Sequence, residues 1–145
     1  MYFPAVSGPR HELETAAEED AAGGDETLFL CEDDEDVRKW ASSVLRRAGY
    51  TVHVSRDGRE GLEKAGELAD VIDLAVLDVI MPGGDGPQVA GRLAAKKGSP
   101  LPVVFISGYS EARVPMEEDV AYRFTLLQKP CSATALLNAI RAMLD

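Results

Sequence analysis

The sequence has little of what stabilises proteins outside the cell or inside a membrane. It contains only two cysteines in 145 residues, Cys31 and Cys131, too few for a disulfide scaffold. We therefore expect reduced thiols and a cytoplasmic protein. No apolar run approaches the ~20 residues of a membrane-spanning helix, and the N-terminus does not resemble a signal peptide.

Positive charge is also scarce. Fifteen Lys and Arg stand against 25 Asp and Glu, so the net charge is −10. Because a surface with this excess repels the phosphate backbone, we expect no nucleic acid among the partners. We also expect no direct membrane contact and no DNA-binding output domain after Asp145.

The acidic residues are concentrated at the start of the chain. Residues 1–26 contain seven acidic side chains and one basic, are rich in Glu, Ala and Gly, and show no apolar periodicity. Such a composition is typical of a solvated, disordered segment. We predict an acidic linker over 1–26 and a single folded domain over 27–145.

Strand and helix patterns alternate from Thr27 onward. Strands are predicted at TLFLC (27–31), TVHVS (51–55), DLAVLD (73–78), PVVFIS (102–107) and TLLQ (125–128). Helices are predicted where apolar residues recur every three or four positions, over 37–48, 58–69, 87–97 and 136–144. Gly49 and Ser132 are expected helix caps. Five βα units with short connections predict an α/β fold, a doubly wound parallel sheet with helices on both faces.

Polar side chains follow four of these strands. Residues 32–36 form an acidic run after the first strand, Asp78 ends the third, Ser107 ends the fourth, and Lys129 with Pro130 follows the fifth. Ligands of such sheets bind beyond the carboxyl ends of the strands. We therefore expect these groups to converge at one edge.

A carboxylate cluster at that edge needs a compensating charge. Carboxylates about 4 Å apart repel by a few kcal/mol at an effective dielectric near 20, unless a proton or a cation lies among them. Oxygen ligands alone favour a hard ion, and an open carboxylate set suits Mg²⁺. An Asp beside Mg²⁺, a lysine and a hydroxyl is a plausible nucleophile for a phosphoryl group.

Each residue also has an ordinary explanation. Asp34 and Asp36 are expected to cap a helix and to interact with its dipole, Ser107 could be a turn residue, and Lys129 could be an exposed lysine. Asp78 is harder to explain in this way, because an apolar strand ends in its charge. The ordered set of four favours a functional site.

The segments LFLCEDDEDVR, LAVLDVIMPGGDG, VVFISGYS and LLQKP occur in this order. Together they make residues 27–145 resemble the receiver domain of bacterial two-component response regulators. The resemblance implies a flavodoxin-like sheet with strand order 2-1-3-4-5. It also implies phosphoryl transfer from a histidine kinase or a histidine phosphotransfer domain.

The resemblance implies a role for each residue at the strand ends. Asp78 corresponds to the phosphoacceptor, Ser107 to the hydroxyl that follows the phosphoryl group, and Lys129 to its ion-pair partner, with a cis peptide before Pro130. A magnesium ion would be held by Glu32 through water, by Asp33 and Asp78 directly, and by the backbone carbonyl of Ile80.

The sequence departs from the family pattern at two positions. Leu126 stands where an aromatic switch residue is usual, and Cys131 replaces the common aromatic after Lys-Pro. We therefore expect the phosphorylation signal to be relayed differently, with Phe124 or Tyr109 as candidate substitutes.

Several origins and functions are compatible with these residues. FISGYS and LLQKP are similar to receivers fused to sensor kinases, and residues 2–6 (YFPAV) to the closing strand of a kinase's ATP-binding domain, which favours the C-terminal receiver of a hybrid histidine kinase. A stand-alone single-domain response regulator is the alternative. A Mg²⁺-dependent phosphohydrolase with an Asp nucleophile would need a second acid shortly after Asp78, where Ile80 stands. An interaction module that is not phosphorylated would not need the acidic pair.

Overall fold

The computed structural model describes residues 23–98, 100–108 and 122–145. These ranges contain five strands and four helices, in the order β1 Thr27–Cys31, α1 Glu35–Arg47, β2 Thr51–Ser55, α2 Gly58–Leu68, β3 Leu74–Asp78, α3 Gly86–Lys97, β4 Leu101–Ser107, β5 Tyr122–Gln128 and α4 Ala133–Leu144. All neighbouring strands are parallel, in the order β2-β1-β3-β4-β5. The predicted flavodoxin-like α/β fold is confirmed.

Burial follows the position of each strand in the sheet. All residues of β3 and β4 are buried, whereas β2 and β5, at the two edges, mix buried and partly exposed residues. Strands covered on both faces are continuously apolar, because both sets of side chains enter a core. The polar alternation of TVHVS thus predicted an edge correctly.

Two hydrophobic cores lie on opposite faces of the sheet. One is built around Phe29, Leu77 and Phe105 and includes residues of α2 and α3. The other is built around Leu30 and Val76 and includes residues of α1 and α4. The helices therefore cover both faces, as predicted, and leave the carboxyl edge for the acidic site.

The predicted caps are confirmed at two helices. Asp34 Oδ1 accepts hydrogen bonds from the amides of Asp36 and Val37 before α1, and Ser132 Oγ accepts one from Ala135 before α4. The chain leaves α1 through Gly49, whose φ of 106° is readily adopted only by glycine.

The structure corrects the extent of the fifth strand. β5 runs from Tyr122 to Gln128 rather than from 125, and it pairs with β4 along its whole length. The polar Arg123 interrupts the apolar run on which the prediction depended. It is nevertheless part of the strand, because an edge strand alternates between buried and solvated side chains. None of the helices within the described ranges is both long and apolar enough to span a membrane.

Part of the sequence prediction falls outside the described residues. Residues 2–6, most of the predicted linker and Tyr109 lie there, so their predictions stay open. The last four residues of the predicted linker, 23–26, are described and contact the folded domain through several hydrogen bonds.

Candidate functional site

Three carboxylates meet at the carboxyl edge of the sheet. Glu32 follows β1 directly, Asp33 comes next, and Asp78 ends the neighbouring strand β3. One oxygen from each of the three lies within 4.8 Å of the other two. Glu32 and Asp78 are 1% and 6% exposed, whereas Asp33 is open to solvent. The predicted convergence of these residues is therefore present in the fold.

Lys129 brings a positive charge to the two buried carboxylates. Its Nζ lies 3.1 Å from Glu32 Oε1, donates to Glu32 Oε2 at 3.3 Å, and is 3.5 Å from Asp78 Oδ2. Partial burial of the ammonium lowers the pKa of Lys129, but Glu32 and Asp78 outweigh this effect, so that its pKa is raised. Lys129 is therefore cationic at neutral pH.

One oxygen of Glu32 is buried without a hydrogen bond. Glu32 Oε2 accepts from the Asp34 amide at 3.0 Å and from Lys129. Glu32 Oε1 receives no hydrogen bond of regular geometry within the described part of the chain, but it lies 3.1 Å from the Lys129 ammonium and is ion-paired with it. Lys129 therefore provides the positive charge that both oxygens of this buried carboxylate require.

Asp78 holds a proton more tightly than an ordinary carboxyl group does. Burial raises its pKa to about 8, together with the charge of Glu32 and hydrogen bonds to Asp33 and Glu32. Lys129 offsets only part of this rise. In the absence of a cation, carboxyl groups at this distance share a proton to limit their repulsion.

The donor set fits a hard divalent cation. The three residues offer carboxylate oxygens only, and one side is open to water through Asp33. Mg²⁺ prefers such oxygen ligands and retains several waters. The Ile80 side chain is 59% exposed, and a metal contact of its carbonyl stays a prediction.

Ser107 and Lys129 are joined through the backbone next to this cluster. The Lys129 amide donates to the Ser107 carbonyl at 2.7 Å, and Ser107 is buried at the end of β4. Residue Ile106 of that strand pairs with Asp78. The peptide between Lys129 and Pro130 is cis, as the resemblance implied.

Sequence reasoning missed one residue that supports the acidic pair. Arg38 Nη1, from α1, donates to the backbone carbonyl of Glu32 at 3.0 Å. A basic pair, Arg38 and Lys39, one turn into a helix that begins with acids is the signal that could have suggested it. Arg38 thereby holds the chain in place where it leaves β1.

Two of the residues considered for the aromatic switch, Leu126 and Phe124, lie in the described strand β5. Leu126 is 45% exposed. Phe124, a candidate substitute, packs edge-on against Phe105 with ring centroids 5.5 Å apart, and lies 6.1 Å from the ring of Tyr122. Phe124 is thus part of an aromatic group on the core side of β5.

Comparisons with known proteins identify the family of this chain. Residues 28–141 match the family model of the response regulator receiver domain. The chain is 35% identical over 122 residues to the sensor kinase CckA of Brucella abortus, which covers 84% of this chain and 13% of that protein. It is 31% identical to the response regulator receiver protein CpdR of the same organism, over 81% of this chain and 95% of CpdR.

A solved receiver-domain structure is similar to this chain as well. The crystal structure of the receiver domain from the hybrid histidine kinase CckA has a TM-score of 0.67 and 35% identity, covering 82% of this chain and 99% of that chain. The chain spans 51% of the transcriptional regulatory protein HprR of Escherichia coli, another relative at 33% identity. None of these matches supports the phosphohydrolase alternative. With its acidic edge and its match over residues 28–141, the chain belongs to the response regulator receiver domain family, the phosphoacceptor domains of two-component signalling.

Proposed function

We propose that Asp78 is the phosphoacceptor of this receiver and takes its phosphoryl group from a histidine of a kinase or a phosphotransfer domain. The observation that carries the proposal is the position of Asp78: a buried carboxylate at a strand end, with Lys129 Nζ 3.5 Å from its Oδ2 and two further carboxylates beside it. Such a group is expensive to maintain unless the site uses it.

In the proposed reaction, an oxygen of Asp78 forms a bond to phosphorus while the bond between phosphorus and the donor's histidine nitrogen breaks. Asp78 must first release the proton that its raised pKa retains. Lys129, held near the reaction centre by Glu32, is placed to neutralise charge on the phosphoryl oxygens. Ser107, at the end of β4, is the proposed hydroxyl partner of the phosphoryl group.

The metal ligands proposed for Mg²⁺ are Glu32, Asp33, Asp78 and the carbonyl of Ile80, with Glu32 acting through water. The oxygen-only donor set and the convergence of the three carboxylates within 4.8 Å support this choice. When bound, Mg²⁺ would supply positive charge for the transferring phosphoryl group.

Incubation with acetyl phosphate and Mg²⁺, followed by intact mass spectrometry, tests the phosphoacceptor. Wild type should gain the mass of one phosphoryl group, and Asp78→Asn should gain none, because an amide is not a nucleophile. Asp85→Asn is the matched control: Asn retains the oxygen with which Asp85 caps α3, so labelling should match wild type. A phosphoryl group mapped to Asp34 or Asp85 in wild type would overturn the assignment.

The origin of the receiver is a second part of the proposal. The CckA match at 35% identity favours the C-terminal receiver of a hybrid histidine kinase, while the near full-length match to CpdR supports the stand-alone alternative. A hybrid receiver passes its phosphoryl group on to another histidine. Phosphorylated wild type should then lose its label rapidly to one of a panel of isolated histidine phosphotransfer domains, and transfer to none of them would favour the stand-alone regulator.

A further inference from the structure

The last turn of α4 contacts the residues that lead into β1, at the end of the sheet opposite the acidic site. β1 begins at Thr27, and α4, which returns antiparallel to the strands, ends at Leu144. The contacts centre on the guanidinium of Arg141. Its partners are Gly23, Glu26, Tyr50 and Asp145.

Both terminal nitrogens of Arg141 donate hydrogen bonds to residues 23–26. Nη1 donates to the Gly23 carbonyl at 2.9 Å and to Glu26 Oε1 at 3.2 Å, and Nη2 donates to Glu26 Oε2 at 2.8 Å. A two-pronged pair of this kind is stronger and more directional than a single contact. Nε donates to Asp145 Oδ1 at 3.2 Å, so the same side chain also contacts the end of the described chain.

A side chain at Gly23 would clash with backbone, and one at Gly24 would displace the Arg141 guanidinium. A Cβ on Gly23 would lie 2.8 Å from the Ala48 carbonyl oxygen, and one on Gly24 would lie 2.6 Å from Arg141 Nη1. The Gly24 amide donates to Ala48 O at 3.2 Å. The Gly-Gly pair, which by composition belongs to a flexible linker, therefore permits a close backbone approach.

We propose that residues 23–26 form a strap of the receiver domain, closed by Arg141 against α4. The strap fixes where the preceding chain joins the domain, beside the C-terminal end of α4 and far from Asp78. Under this proposal the linker ends at residue 22, and the chain enters the domain at a fixed point beside α4 instead of turning freely about Thr27. The strap does not depend on phosphorylation of Asp78.

Hydrogen exchange, measured by mass spectrometry on the full 145-residue chain, tests the strap. Arg141→Met removes the guanidinium donors, so the Gly24 amide should exchange about tenfold faster or more, while the Val76 amide in the centre of the sheet changes by less than about twofold. Gly24→Ala should accelerate the same amide by displacing the guanidinium. Gly91→Ala is its matched control, because a Cβ there meets nothing within 4 Å.

Arg123→Met controls for general fraying of α4, since Arg123 Nη2 donates to the Met143 carbonyl in the same last turn. The strap proposal requires Gly24 exchange in this variant to stay near the wild-type rate. Equal acceleration in Arg123→Met and Arg141→Met, or no acceleration in Arg141→Met, would overturn it. If Arg141→Met does not fold, Glu26→Gln serves in its place, because it keeps the shape of Glu26 and should accelerate Gly24 exchange by about threefold.

Discussion

Replacing Asp78 by Asn should stabilise the metal-free protein, and the gain should grow with pH. The folded protein holds the Asp78 proton with a pKa of about 8, against 3.8 for an ordinary aspartate. Between these values the folded state binds more protons than the unfolded state, so the free energy of unfolding falls as pH rises. Asparagine is neutral at every pH and has nearly the shape of the protonated acid.

The size of the gain follows from the proton affinity. A tenfold difference in proton affinity between the folded and unfolded states corresponds to about 1.4 kcal/mol. Relaxation and entering water reduce the effect at a real site, so we expect about 1–3 kcal/mol at pH 8.5 and close to none at pH 4. For a domain of this length the gain corresponds to about 4–12 °C in Tm.

Thermal unfolding in EDTA at pH 4, 6 and 8.5 measures this dependence. Asp70→Asn is the control, because Asp70 is exposed and its replacement should change the free energy of unfolding by less than about 0.5 kcal/mol. Equal Tm values for wild type and Asp78→Asn at pH 8.5, or a gain that is the same at pH 4, would refute the account of a shared proton at the acidic site.

Three further predictions concern the same site. Mg²⁺ at ten times its Kd should raise the free energy of unfolding of wild type by about 1.4 kcal/mol. Thermal unfolding with Mg²⁺ and with EDTA measures this rise, which should disappear in Asp33→Ala. If the rise persists in that variant, Asp33 is not a ligand. Lys129→Met leaves Glu32 and Asp78 without their positive partner. The free energy of unfolding in urea should therefore fall by about 1–3 kcal/mol at pH 9, and by less at pH 6, where Asp78 is protonated. Equal losses at both pH values would argue against the ion pair. The aspartyl phosphate should be long-lived, because Ile80 and Tyr109, two positions after Asp78 and Ser107 in the sequence, are bulky and are expected to obstruct the attacking water. The double variant Ile80→Asn/Tyr109→Glu should lose its phosphoryl group about tenfold faster after donor removal. An unchanged decay rate would show that water access at these positions does not set the lifetime.

The site was predictable from sequence to the extent that strand ends were predictable. The apolar runs of TLFLC and LAVLD stop at the strand ends, so the sequence alone places Glu32 and Asp78 at the sheet edge. Parallel strands present all their carboxyl ends at one edge. The order of the polar residues along the chain therefore carried the resemblance.

The edge strand and the start of the domain were less predictable. β5 is longer than its apolar run because it is solvated on one side, and Arg123 occupies a position that faces water. The Gly23–Gly24 pair has the composition of a linker, and only its distance from Ala48 and Arg141 shows a close approach. The composition of a short segment does not indicate which distant residues it will contact in the fold.

The sequence by itself determined the alternation of strands and helices, the two-sided burial of the sheet and the arrival of four polar groups at one edge. These features follow from hydrophobic periodicity and from caps, which act within a few residues. Only the tertiary structure decided that Lys129 lies within 3.5 Å of both Glu32 and Asp78, and that Arg141 holds Glu26 across 115 positions of sequence. Such contacts depend on how helices and strands pack, because the direction of a side chain is set by neighbours that are distant along the chain.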